Sequence, residues 1–153
     1  MSELVAKAEM LIRRPAEEAF DAFVQPELIT KFWLKSASGP LRKGAQVDWE
    51  FLVRGATERV LVTASERPGH LAFEWTKGKL NVDIRLSEAQ KGSAVVRVQV
   101  RGFEEGEDSL AQVVNATEGF SIVLCDLKTF LESGRSAHLV QDKAALIQSQ
   151  LDA

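Results

Sequence analysis

The sequence predicts an α+β fold, a six-stranded antiparallel sheet with one long C-terminal helix laid across it. Three observations carry that expectation. Apolar and polar residues alternate with period two over about 55 residues, the pattern of strands with one dry and one wet face. Apolar residues at helical spacing then run from Ser109 to about Ser133. A strand and a pair of short helices come before both.

Residues 4–13 form the first strand, with Ala6, Ala8, Met10 and Ile12 on one face. "RRPAEEAFDAF" opens a helix, because Pro15 suits a first turn and Glu17 and Glu18 favour its positive end. Pro26 interrupts it, and "PELITKFWL" reads as a second short helix ending near Trp33. After the "RKG" turn, Val47, Trp49, Phe51 and Val53 share the inner face of one strand. Residues 57–66 follow, with Val60, Val62 and Ala64 aligned. "RPGH" leads into Leu71, Phe73 and Trp75, "KGK" into Val82, Ile84 and Leu86, and "QKGS" into Val96, Val98 and Val100. Short Gly-containing turns between strands of this length specify an antiparallel meander. "EEGED" reads as a solvated loop, Ser109 as the N-cap of the long helix and Gly134 as its stop. At 100° per residue, Leu110, Val113, Thr117, Phe120, Leu124, Leu127 and Leu131 form its inward stripe. Residues 135–153 are read as an extension of the single domain 1–153, with a short terminal helix.

Composition narrows the function classes. The net charge of −3, with Lys and Arg scattered singly, gives no concentrated basic patch for nucleic acid or an anionic membrane. The N-terminal stretch has no apolar run long enough for a signal peptide or a membrane span. Cys125 is the single cysteine. The cytoplasm is therefore the expected compartment, with no membrane insertion.

"RRPAEEAFDAFVQPELITKFW" is similar to the helix-elbow signature of the SRPBCC (helix-grip, START-like) superfamily, in the branch named after the activator of the heat-shock-protein-90 ATPase. "ERPGHLAFEW", "VRGF" and "EGFSIVLCDLKTFLESG" resemble that branch's later motifs, in the same order. The resemblance covers about residues 4–134. Two positions depart from the pattern: Phe32–Trp33 stands where a tandem Trp is usual, and Phe120 where Trp is common. The resemblance implies a helix-grip fold, in which a strongly curved six-stranded sheet wraps the long C-terminal helix. Two short helices between strands 1 and 2 close one end of an apolar cavity.

None of the inward strand residues can take up or release a proton, and tyrosine is absent, so no catalytic residue is assigned. His70, placed in a solvated turn, and His138 are far apart, and no HxH, HExxH or CxxC occurs, so neither a metal nor a cofactor is expected. Cys125 reads as an inert, buried thiol, and Asp126 falls on the face opposite the stripe. The ligand-contacting set expected from alternation and resemblance together is Trp33, Trp49, Phe51, Phe73, Trp75, Val98, Phe120 and Leu124. Thr117 is its main polar contact. The competing reading of the same side chains is a solid core.

Gly119 lies in the most helical stretch of the chain, where glycine costs about 1 kcal/mol relative to alanine. It sits 140° from Leu124, off the stripe. It is either a close-packing position against the elbow or a hinge that lets residues 109–118 gate a cavity. The leading expectation is a monomeric binder of a small, mostly apolar molecule. The branch name offers a protein-interaction role as the second class, and a cyclase- or hydrolase-type enzyme is the third.

Overall fold

The computed structural model describes residues 3–77 and 79–153. The "KGK" turn contains Gly78, which lies outside the described residues. In chain order the elements are β1 (Ala6–Ile12), α1 (Ala16–Val24), α2 (Pro26–Ile29), β2 (Ser36–Ala37), β3 (Gln46–Glu50), β4 (Thr57–Glu66), β5 (His70–Trp75), β6 (Leu80–Glu88), β7 (Ala94–Arg101), α3 (Ser109–Ser133) and α4 (Leu139–Leu151). All strands pair antiparallel in one sheet of order β1-β7-β6-β5-β4-β3-β2. The helix-grip arrangement is present: a long antiparallel sheet with a long helix against it.

Alternation holds through the centre of the sheet. Val60, Val62, Leu71, Phe73, Val82, Ile84, Val96, Val98 and Val100 are all buried. Outward charges pair with each other, as in Arg97–Glu9 at 3.1 Å and Arg59–Asp48 at 2.9 Å. Burial of this apolar face, at roughly 25 cal/mol per Å², is what drives the sheet onto its helices. α3 packs mainly on β1, where the Lys128 Nζ donates to the Leu11 carbonyl at 2.7 Å and the Arg13 N–H donates to Glu132 at 2.8 Å.

Several expectations need correction. The sheet has seven strands rather than six, because Ser36–Ala37 adds a two-residue strand beside Glu50 and Trp49. Ala64 does not continue the face of Val60 and Val62. The register shifts between Val62 and Ala64, a bulge that changes the phase and turns Ser65 toward the Leu41 carbonyl, to which its hydroxyl donates at 2.9 Å. β3 ends at Glu50, so Phe51 and Val53 belong to a loop closed by bonds from the Phe51 N–H to the Ala56 carbonyl and from the Ala56 N–H to the Val53 carbonyl. α2 ends at Ile29, and turns carry the chain to Trp33, whose N–H still reaches the Ile29 carbonyl at 3.0 Å. Ser109 lies inside the first turn of α3; Asp108 is the cap residue, and the Ser109 hydroxyl donates to the Gly106 carbonyl. Gly134 ends α3 in the left-handed conformation (φ 82°), with its N–H on the Phe130 carbonyl.

The C-terminal extension is a 13-residue helix fastened at three points. At its start, the Asp126 carboxylate accepts from the Thr129 hydroxyl (3.0 Å), the Ser136 hydroxyl (2.6 Å) and the Val140 N–H (3.2 Å). Midway, Lys143 pairs with Glu118 at 2.7 Å. At its end, Gln148 accepts from the Arg54 N–H, and Asp152 pairs with the Arg54 guanidinium at 3.0 Å. Asp126 is thus 1% exposed rather than on a free face, because the side of α3 opposite the stripe is covered by α4 and the segment leading to it. Among the described residues, no helix is long and apolar enough to cross a membrane.

Candidate functional site

An aromatic ladder crosses the interior from the elbow to the far end of the sheet. Phe23 meets Trp33 edge-on at 6.2 Å, and Trp33 meets Trp49 at 5.1 Å. Trp49 meets Phe73 at 5.2 Å, and Phe73 meets Trp75 at 6.4 Å. Phe120 reaches from α3 to join it, edge-on to Trp33 at 5.7 Å and stacked on Trp75 at 5.8 Å. Tilted and edge-on pairs at these separations add a little to what area burial alone provides. The indole N–H groups of Trp49 and Trp75 are buried without hydrogen-bond partners among the described residues.

Beside the outer end of this ladder lies a pocket of about 540 Å³. Its aromatic wall is Trp33, Phe51, Trp75 and Phe120. Leu52, Val53 and Phe103 come from loops and Leu80 from the start of β6, while Ala116, Gly119, Ile122 and Val123 supply the α3 side. Val140, Lys143, Ala144 and Ile147 come from α4. Phe103 is placed by Gly102, which ends β7 at φ 99°. A Cβ there would sit 2.7 Å from the Lys79 carbonyl, so the position needs glycine.

The predicted site residues divide into three groups. Trp33, Phe51, Trp75 and Phe120 line the pocket, as does Gly119. Trp49, Phe73, Val98 and Leu124 lie beneath it in the packed core, none more than 2% exposed. Thr117 is outside both groups: it does not line the pocket, and its hydroxyl donates within α3 to the Val113 carbonyl at 2.8 Å. The polar side chains at the pocket are instead Gln112, Asn115 and Lys143.

Gly119 borders the pocket rather than the elbow. A Cβ built on it meets nothing within 4 Å, which removes close packing against the elbow as its reason. α3 is unbroken across it. Its direction, 140° from Leu124, is that of Val123 and Ala116, the face turned to α4 and the pocket. The four α4 residues were missed because spacing within α4 cannot show which helix it will cover. Their 140, 143, 144, 147 pattern, one helical face, was the available signal.

His70 is not in a solvated turn. It opens β5 and its Nε2 lies 2.8 Å from the Asp83 carboxylate, which also takes Arg85 at 3.2 Å. Among the described residues, no group of three or more His, Cys, Asp or Glu side chains could hold a metal ion.

Comparison with known families decides the relationship. The family described as "Activator of Hsp90 ATPase homolog 1-like protein" matches residues 13–132. The chain belongs to that family. The match ends at the last turn of α3, so α4 lies beyond it. Curated proteins give no match. Among solved structures, a crystal structure of a Staphylococcus saprophyticus protein has a TM-score of 0.76 and 26% identity, covering 86% of this chain and 94% of that one. A Mesorhizobium loti protein has a TM-score of 0.73 and 20% identity, covering 84% and 97%. The Aha1 dimer from Colwellia psychrerythraea, solved in solution, has a TM-score of 0.75 and 17% identity, covering 86% and 98%. The last two show likeness of fold alone.

Proposed function

We propose that this member of the family binds a small, mostly apolar molecule between the aromatic wall and the α3–α4 pair. The observation that carries the reading is Gly119, a glycine in an unbroken helix whose missing side chain borders open space in a pocket lined by Trp33, Phe51, Trp75 and Phe120. A volume of about 540 Å³ falls within the range of small-molecule sites, and so does the mix of many apolar walls with few polar groups. Trp49, Phe73, Val98 and Leu124 act as the rigid backing rather than as contacts.

The test is a titration with 1-decanol followed by NMR. Saturable shifts at the Trp33 and Trp75 indole signals and at the Gly119 amide are expected. Gly119→Leu should abolish them, since its side chain fills the space while the helix tolerates leucine well. Absence of saturable shifts at millimolar decanol would overturn the reading.

A second reading, contact with another protein, is favoured by Leu110 and Val114. They lie one turn apart on α3 and are 68% and 57% exposed. A mass above that of one chain in sedimentation would support it; a single-chain mass supports the monomeric binder.

A further inference from the structure

Resting on the reading above, we infer that the ligand is an amphiphile with an anionic head group, which Lys143 receives at the edge of the pocket. Lys143 is the one charged side chain lining the pocket among the described residues; no carboxylate lines it, and the lysine's partner Glu118 stands outside the lining. The two remaining polar side chains, Gln112 and Asn115, each carry an amide NH₂ that can donate. A lining with an ammonium, two amide donors and no acidic group suits an acceptor-bearing, negatively charged group rather than a cation, once Glu118 is shared or displaced.

The position of the charge fits a molecule with two unlike ends. Val140, Ala144 and Ile147 surround Lys143 on the same face of α4 and meet the apolar interior. The lysine stem can lie along that wall while its ammonium stays at the rim. The ligand's apolar body would then occupy the aromatic side, with its head group at the α3–α4 gap.

The ammonium is already paired, but in a solvent-exposed pair. Its partner among the described residues is Glu118, at 2.7 Å, and that side chain is 54% exposed against 35% for the lysine. Glu118 does not line the pocket. An exposed pair of this kind contributes little to folding and its carboxylate is readily resolvated. Lys143 also has three donors, so an incoming anion can share it or displace Glu118. The lysine belongs to the helix that lies beyond residues 13–132, so this preference is a property of the chain's own C-terminal element rather than of the family match.

The experiment compares sodium decanoate with 1-decanol, binding to the full chain at neutral pH and low salt by calorimetry. Decanoate should bind about tenfold more tightly, the advantage of one charge-assisted hydrogen bond. Lys143→Met, which keeps the apolar wall, should weaken decanoate far more than decanol and so remove the preference. Lys143→Arg should retain it. Glu118→Gln, which removes the competing carboxylate, should tighten decanoate severalfold and leave decanol unchanged. Equal affinities in the unmodified protein, or a Lys143→Met variant that weakens both probes alike, would overturn the anionic head group while the apolar pocket stands. Failure of both probes to bind would overturn the pocket reading, and this inference with it.

Discussion

The two halves of α3 share one helix but have different surroundings. From Phe120 to Leu131 the helix is held on two sides. Phe120, Leu124 and Leu127 are buried among the strand and elbow residues, and Asp126 is sealed under the start of α4. From Ser109 to Glu118, half-buried contact falls to Ser109, Val113, Ala116 and Thr117, with Leu110 and Val114 in solvent. The first half is also poorer in strong helix formers, with Val113, Val114, Asn115 and Thr117 close together. The stability of a helix in a protein comes mostly from what its faces bury, so one unbroken element can combine an anchored end with a loosely held one. The pocket lies along the boundary between them, at Gly119.

The largest expected effect that sharpens this contrast is truncation on each side of the boundary. Leu127→Ala, at a site with no exposure, should cost roughly 2–5 kcal/mol in urea unfolding. Leu110→Ala should stay within about 0.5 kcal/mol. Hydrogen exchange should follow the same division, with amides 109–118 less protected than 120–131. Equal truncation costs together with uniform protection would erase the distinction.

Asp126→Ala comes next. It leaves the Ser136 hydroxyl and the Val140 N–H without their acceptor, at a cost of roughly 1–3 kcal/mol. The effect should spread into α4 as faster exchange at residues 139–151. A loss of stability with α4 protection unchanged would mean that the carboxylate holds the turn but not the helix.

Gly119→Ala should have a smaller effect of opposite sign. The added methyl meets open space, and the gain is up to about 1 kcal/mol through helix propensity and a more restricted unfolded chain. If the glycine is also a hinge for a gating half-helix, ligand exchange in this variant slows as well. Destabilisation would show that the pocket closes on Gly119 in solution.

The smallest expected effect is acid-dependent and lies at the anchored end. The Arg13 N–H, and after it the Lys128 ammonium, hold the Glu132 carboxyl below its ordinary range. The folded state therefore favours the carboxylate. Its contribution is present above the unfolded carboxylate value and is lost as pH falls through the lowered folded one. Glu132→Gln should flatten the acid limb of a stability–pH curve, and the two proteins should converge at low pH. Parallel curves would show that the pairing contributes nothing.

These contrasts also explain what could be read from the residues. Strand periodicity located β4 at residues 57–66 to the residue, and Gly134 marked the end of α3, because both signals are local. Depth was not legible. Trp49, Phe73 and Trp75 alternate identically, yet the first two are core and the third borders the pocket, since depth depends on where each strand lies under the helices. The stripe placed Asp126 on the opposite face but could not show its burial, which comes from residues 136–140, brought back by a turn after Gly134. The glycine under steric constraint is Gly102, whose neighbour, the Lys79 carbonyl, comes from a different strand connection. Pairwise approach across a sheet leaves no trace in spacing along the chain.

The borders of the sheet bear on behaviour in concentrated solution. A border strand offers unsatisfied N–H and C=O groups to any passing chain, and two such borders are enough for copies to stack without limit. On one side the strand is Ser36–Ala37, too short to seat an incoming segment. On the other, groups that a visitor would use are already engaged: the Leu11 carbonyl accepts from Lys128, and the Arg13 N–H donates to Glu132. The same two α3 side chains that fasten the long helix therefore also occupy the C-terminal end of that border, where an incoming strand would otherwise pair.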